Sequence, residues 1–220
     1  MATVLMIVTS VSAMPTGDPT GLWLEEFVVP YQVLTEAGHE VVVASPEGGT
    51  TPVDPRSAKA EQHHDWTDAV ERLRDTVPLA GVRAEDFAAV FIPGGHGPMF
   101  DLPGNPEVGR LLADFHRQGK PIAAVCHGPA AFVGVLRADG KPLVEGYTLT
   151  AFSDIEEKLG GLDDRVPFLL SHRLKELGAD VENSVPWLSH VKHDRQLITG
   201  QNPASSWHAA ELLLKALDEA

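Results

Sequence analysis

A single cysteine stands among 220 residues, inside the run PIAAVCHGPAAF from Pro121 to Phe132. Cys126 closes an apolar stretch and is followed directly by His127 and Gly128. A thiol with an imidazole beside it can attack a carbonyl carbon, the sulfur acting as nucleophile and the ring accepting its proton. Most free cysteines are small buried hydrophobes, but a polar ring and a glycine at the end of an apolar run serve no packing purpose. Glu26 is a second suggestive residue, because it falls within the apolar run of GLWLEEFVVPYQVL, where a charge needs a reason. A partly buried carboxyl with a raised pKa near a cysteine passes protons at neutral pH. The third feature is PGGHG, whose glycines let backbone amides approach a ligand closely. His96 in this loop either lines a pocket or faces solvent.

These residues need elements to hold them. Val4 to Val8, Glu40 to Ala44, Ala88 to Ile92, Pro121 to Val125 and Gln196 to Gly200 are short apolar runs that read as strands. Between two of them, EVGRLLADFHRQG places Val108, Leu111, Leu112 and Phe115 on one helical face, and Gly119 closes the turn. ASSWHAAELLLKAL forms a further helix. Strands alternating with helices predict an α/β fold with a doubly wound, mostly parallel sheet covered on both faces. Ligands in such sheets bind beyond the carboxyl ends of the strands. PGGHG and Cys126 occupy two such ends, so the two loops are expected to converge. Cys126 then sits on a sharp strand-to-helix turn, with a helix starting at about Pro129 whose free amides favour a thiolate. Residues from about 48 to 81 are turn-rich and read as an insertion in a single domain of residues 1 to 220.

Bulk composition narrows the partners. Seventeen basic against 31 acidic residues give a net charge of −14, which repels nucleic acid and anionic membrane surfaces. One cysteine excludes an intrachain disulfide and a thiolate zinc cluster. The opening MATVLMIVTS has no basic residue before it and is too short to span a membrane, so a buried first strand in a cytoplasmic protein is expected. His63, His64, His190 and His193 lack a third ligand at metal-site spacing and read as loop histidines. No metal and no organic cofactor is expected.

AAVCHGPAAF, IPGGHGPMFD, TAFSDIEEKLG and TGQNPASSWHA, in that order, make the chain resemble the ThiJ/PfpI superfamily. That superfamily has the flavodoxin-like, class I glutamine-amidotransferase-like fold, and the likeness is strongest to its heat-shock-protein-31-like branch of glutathione-independent glyoxalases and stress chaperones. The resemblance implies a triad of Cys126, His127 and an acid in FSDIEEKLG, where the family register selects Glu157 and Asp154 and Glu156 remain possible. It also places the second carboxylate at Glu26, four residues before Pro30, with Glu25 facing elsewhere. The amides of Gly95 and His127 would form an oxyanion site, with Gly94 and His96 beside it. His208 stands near where glutaminases carry a His-x-Glu pair, but the spacing here is H-x-x-E, which argues against glutamine hydrolysis. The implied activity is conversion of 2-oxoaldehydes such as methylglyoxal to 2-hydroxyacids through a cysteine hemithioacetal, by a homodimer. The alternatives are a holdase chaperone or redox sensor, and a protein-adduct deglycase or peptidase using the same cysteine.

Overall fold

The computed structural model describes residues 1 to 58 and 66 to 219, so His63 and His64 lie outside the described residues. The first half of the chain forms β1 (Thr3–Ile7), α1 (Leu24–Glu36), β2 (Glu40–Ser45), α2 (Thr67–Glu71), β3 (Val77–Pro78), β4 (Ala89–Ile92), α3 (Pro98–Asp101) and α4 (Pro106–Arg117). The second half forms β5 (Ile122–Val125), β6 (Thr148–Leu149), α5 (Asp154–Gly160), α6 (Leu170–Glu176), β7 (Asp180–Val181), β8 (Val191–Asp194), β9 (Leu197–Gly200) and α7 (Ser206–Asp218).

Seven strands join in the order β3-β2-β1-β4-β5-β9-β8. All neighbours are parallel except β8, which runs antiparallel to β9. Side chains alternate across a strand, and β1 divides accordingly between two cores. Leu5 and Ile7 join Val108, Leu111, Leu112 and Phe115 of α4 on one face. Val4 and Met6 join Leu24, Phe27, Val28 and Leu34 of α1 and Leu213 of α7 on the other. Helices therefore cover both faces, as the continuous apolar strands require.

The helix expected around Leu111 forms for the anticipated reasons. Asn105 caps it by accepting from the amides of Glu107 and Val108, Pro106 opens it, and Gly119 follows it with φ 68°. Truncating its buried Phe115 to Ala would cost about 3–5 kcal/mol. In α1, Pro30 cannot donate to the carbonyl four residues back, which belongs to Glu26, so the helix is weakened beside that residue. The pattern did not reveal β8 or the parallel β6–β7 pair. Strand β8 reads VKHD, which is polar and half-buried at a sheet edge, and β6 and β7 have two residues each.

Candidate active site

Three adjacent strands, β4, β5 and β9, end at the same crevice. Strand β5 is wholly buried and stops at Cys126, whose φ of 58° puts a non-glycine residue in the left-handed region. That conformation costs about 1–3 kcal/mol and persists only where the surroundings enforce it. Here they do: the Cys126 amide donates to Gly200 O at 2.8 Å, and its carbonyl accepts from the Phe152 amide at 2.9 Å. Gly128 must lack a side chain, since a Cβ there would lie 2.2 Å from Ile92 O.

The α-helix expected from about Pro129 does not form. Residues Gly128–Phe132 make a five-residue 3-10 turn that ends at Val133 in extended backbone, too short to develop a useful dipole. Individual amides act in that sense instead, because those of Gly95 and His127 favour the ionised form of the Cys126 sulfur. Gly95 presents its amide from a φ of 93°, and a Cβ there would lie 2.4 Å from Gly21 O and Trp23 N.

Glu26 is completely buried while Glu25 is exposed. Its Oε2 accepts from the Gly94 amide at 2.7 Å, and Oε1 has no partner in good hydrogen-bond geometry. A Cβ on Gly94 would meet His127 N at 2.6 Å and Glu26 Oε2 at 2.7 Å, so only glycine lets the carboxyl this close. Burial pushes the Glu26 carboxyl up to about 8, although the Cys126 thiol and the Gly94 amide pull the other way. Burial, then the charge of Glu26, push the Cys126 thiol well above its ordinary value, against the two amides. These effects favour a thiol, and the helix end expected to oppose them is absent.

His127 Nδ1 lies 3.3 Å from Cys126 Sγ, and its Nε2 lies 2.7 Å from Glu157 Oε2. The other carboxylate oxygen, Oε1, lies 2.7 Å from His96 Nε2. Burial alone would raise Glu157, but the two imidazoles outweigh it and hold the carboxyl far below its usual range. His96 is buried rather than facing solvent, and burial and the neighbouring His127 lower it to about 4. Of the other acids in this segment, Glu156 turns away to bond Ser153, Gln201, Asn202 and the Trp187 amide. Asp154 Oδ1 has no partner. Ligand-capable atoms of His96, His127 and Glu157 lie within 4.8 Å of one another, but each carboxylate oxygen already accepts from one ring.

Cys126, His127, His96, Glu157 and Gly95 all line one cavity of about 210 Å³. The lining residues that escaped the sequence reading include Arg56, Phe152, Trp187 and Trp23. The Phe152 ring packs on His127 at 4.3 Å and Trp187 packs on Phe152 at 5.7 Å. An isolated tryptophan in the polar stretch ENSVPW was the available signal for Trp187. His190 and His193 bond backbone carbonyls and His208 is exposed on α7, all three away from the cavity lining.

A model of the DJ-1/PfpI family matches residues 20–216. The chain belongs to the DJ-1/PfpI family. Among DJ-1/PfpI relatives, it is 33% identical over 218 residues to the glutathione-independent glyoxalase hsp3101 of Schizosaccharomyces pombe, covering 91% of this chain and 89% of that one. The Francisella tularensis rapid encystment protein superposes with a TM-score of 0.93 at 33% identity, over 99% of both chains. Glyoxalase III of Candida albicans superposes with a TM-score of 0.84 at 26% identity, over 97% of this chain and 96% of the other. No helix among the described residues of this DJ-1/PfpI chain is long and apolar enough to cross a membrane.

Proposed function

We propose that the chain is a glutathione-independent glyoxalase that turns small 2-oxoaldehydes into 2-hydroxyacids. The observation that carries this reading is the Cys126 thiol at the wall of a cavity of about 210 Å³, with His127 Nδ1 3.3 Å from the sulfur. That volume suits a three-carbon substrate better than a peptide.

As sulfur adds to the aldehyde carbon, the thiol proton passes to His127 Nδ1. The new alkoxide is stabilised by the Gly95 and His127 amides. Glu26 is protonated below about pH 8, so the sulfur becomes anionic beside a neutral carboxyl that can donate to it instead of beside a second charge. His127 returns its proton to the alkoxide, completing the hemithioacetal. It then removes the hydrogen on C1 as a proton and delivers it to C2 of the enediolate, while the hydroxyl proton moves from O1 to O2. The product is a 2-hydroxyacyl thioester, which water cleaves to the hydroxyacid and the free thiol. His127 is assigned the carbon-to-carbon transfer because it lines the cavity; Glu26 is not among the lining residues and is assigned to donating a hydrogen bond to the sulfur while His127 holds the thiol proton. Glu157, accepting from His127 Nε2–H, keeps Nδ1 available as a proton acceptor.

Two copies are expected to pair, a reading supported by exposed apolar side chains such as Ile155 and Leu159 one turn apart on α5; sedimentation equilibrium tests it. The deciding experiment for the activity incubates the purified protein with methylglyoxal, without glutathione or added metal, and measures lactate beside a Cys126→Ala control. Lactate from the unmodified protein alone is the expected result. A folded protein with a reactive thiol and no lactate would overturn the reading and favour a holdase, sensor or adduct hydrolase.

A further inference from the structure

The hydrogen-bond chain that begins at Cys126 does not stop at Glu157. It continues through His96 to Arg56, whose Nη2 lies 3.0 Å from His96 Nδ1. The guanidinium is itself fixed: its Nε donates to Asp54 Oδ1 at 2.9 Å, and Nη2 pairs with Asp54 Oδ2. Asp54 is fully buried and also accepts from the Thr20 hydroxyl and the Arg56 amide. Half-exposed Arg56 is thus anchored on one side and offers a hydrogen to the imidazole on the other.

Arginine donates and never accepts. His96 Nδ1 facing it must carry the lone pair, so the ring proton sits on Nε2 and points at Glu157 Oε1. Glu157 then accepts on both oxygens, Oε2 receiving the Nε2–H of His127. His127 Nδ1 is left with its lone pair toward the sulfur. Every proton position from Arg56 to Cys126 follows from the one group in the chain that cannot change role. Were the His96 proton on Nδ1 instead, two lone pairs would meet at Glu157 Oε1, or the carboxyl would have to take a proton and lose its charge beside His127.

We infer that Arg56 is a positioning residue: acting through His96, it fixes the tautomer that keeps Glu157 an anion accepting from both imidazoles. The group lies outside the cysteine, histidine and acid of the triad and belongs to the turn-rich segment after β2. The inference deepens the glyoxalase reading and rests on it for turnover measurements only, since the tautomers are observable without substrate.

Nitrogen-15 NMR of the histidine-labelled protein at neutral pH reads the tautomers directly. His96 and His127 are expected as Nε2–H in the unmodified protein, and Arg56→Met is expected to leave His96 as a mixture or as Nδ1–H. His96 retaining pure Nε2–H in folded Arg56→Met would overturn the inference, whether or not the protein converts methylglyoxal.

Turnover supplies the second readout. Arg56→Met is expected to lower kcat about tenfold or more, as loss of a positioning group does. In a His96→Gln background the same change should cost at most about twofold, because an amide always has an N–H to offer Glu157. An equal cost in both backgrounds would mean that Arg56 acts on substrate directly, and would overturn the relay. Arg56→Lys, a donor-only cation, should recover part of the kcat lost in Arg56→Met. Should the unpaired Asp54 prevent Arg56→Met from folding, His96→Phe against His96→Gln decides. The amide must rescue kcat relative to the ring that cannot donate, and equal kcat values would overturn the inference.

Discussion

Glu156 and Glu157 are neighbours on α5, both buried, and they bond to entirely different parts of the molecule. Glu157 bridges the imidazoles of His127 and His96, whereas Glu156 gathers Ser153, Gln201, Asn202 and the Trp187 amide. Successive helical residues point about 100° apart, which is enough to separate the two carboxylates. Glu157→Gln is expected to reduce kcat/KM by about 10²–10⁴, because the amide cannot accept from two rings at once. Glu156→Gln turns an amide donor against a ring of donors and should cost about 2–4 kcal/mol of stability. Lactate assays and urea melts of the two variants check the division; matching profiles would refute it.

Glu26→Gln removes the charge that, after burial, raises the Cys126 thiol. The sulfur should then ionise at lower pH, shifting the alkylation-rate profile with iodoacetamide to the acid side. Turnover should nonetheless fall by about 10²–10³, since an amide N–H is a poorer donor to the developing thiolate than a carboxylic O–H. A more reactive cysteine in a slower enzyme is the expected signature, and an unshifted alkylation profile would contradict the proximity of the two groups.

Stability should also depend on pH through Glu26. Its ordinary value is 4.5 and its folded value about 8, so between these limits the folded state holds a proton the unfolded chain has released. The advantage is full below pH 4.5 and is lost as pH rises through 8, each unit costing up to about 1.4 kcal/mol. His96, lowered to about 4, acts in the opposite sense below 6.5, but it is present in both proteins being compared. Guanidinium melts from pH 5 to 8 should show a steeper decline for the unmodified protein than for Glu26→Gln, and parallel curves would refute the shift.

Gly95→Ala places a methyl group 2.4 Å from two backbone atoms at a φ of 93°, so the loop must move and take its amide away from the sulfur. A drop of about 10²–10³ in kcat is expected, comparable to loss of one oxyanion donor. Crystal structures of the variant would show whether the Cys126 conformation persists. Unaltered kcat would exclude the Gly95 amide from the reaction.

Much of this geometry was legible in the chain because its signals are local. Val108, Leu111, Leu112 and Phe115 declare their helix by spacing alone, and the run from Pro121 to Cys126 declares a buried strand. Gly94, Gly95, Cys126, His127 and Glu157 are brought together where family register placed them, and so is Glu26, which its apolar neighbours also marked. Arg56 was invisible because its partners, Asp54 and His96, are ordinary until folding sets them side by side. Trp187 reaches the cavity from a loop anchored by buried Glu156, again a contact across distant sequence. The ionisation of Cys126 was not legible for a comparable reason. A five-residue 3-10 turn supplies no helix dipole, and the cost of burial is set by neighbours that sequence does not place.

The bond from the Cys126 amide to Gly200 O bears on biosynthesis. Gly200 ends β9, and α7, which packs on α1 carrying Glu26, comes later still. A nascent chain that has emerged only through Cys126 lacks the strand that holds its backbone in the left-handed turn. It also lacks the helix that seats Glu26 behind the sulfur. The ribosome therefore exposes an ordinary cysteine first, and the surroundings of the sulfur are assembled only when β9 and α7 dock.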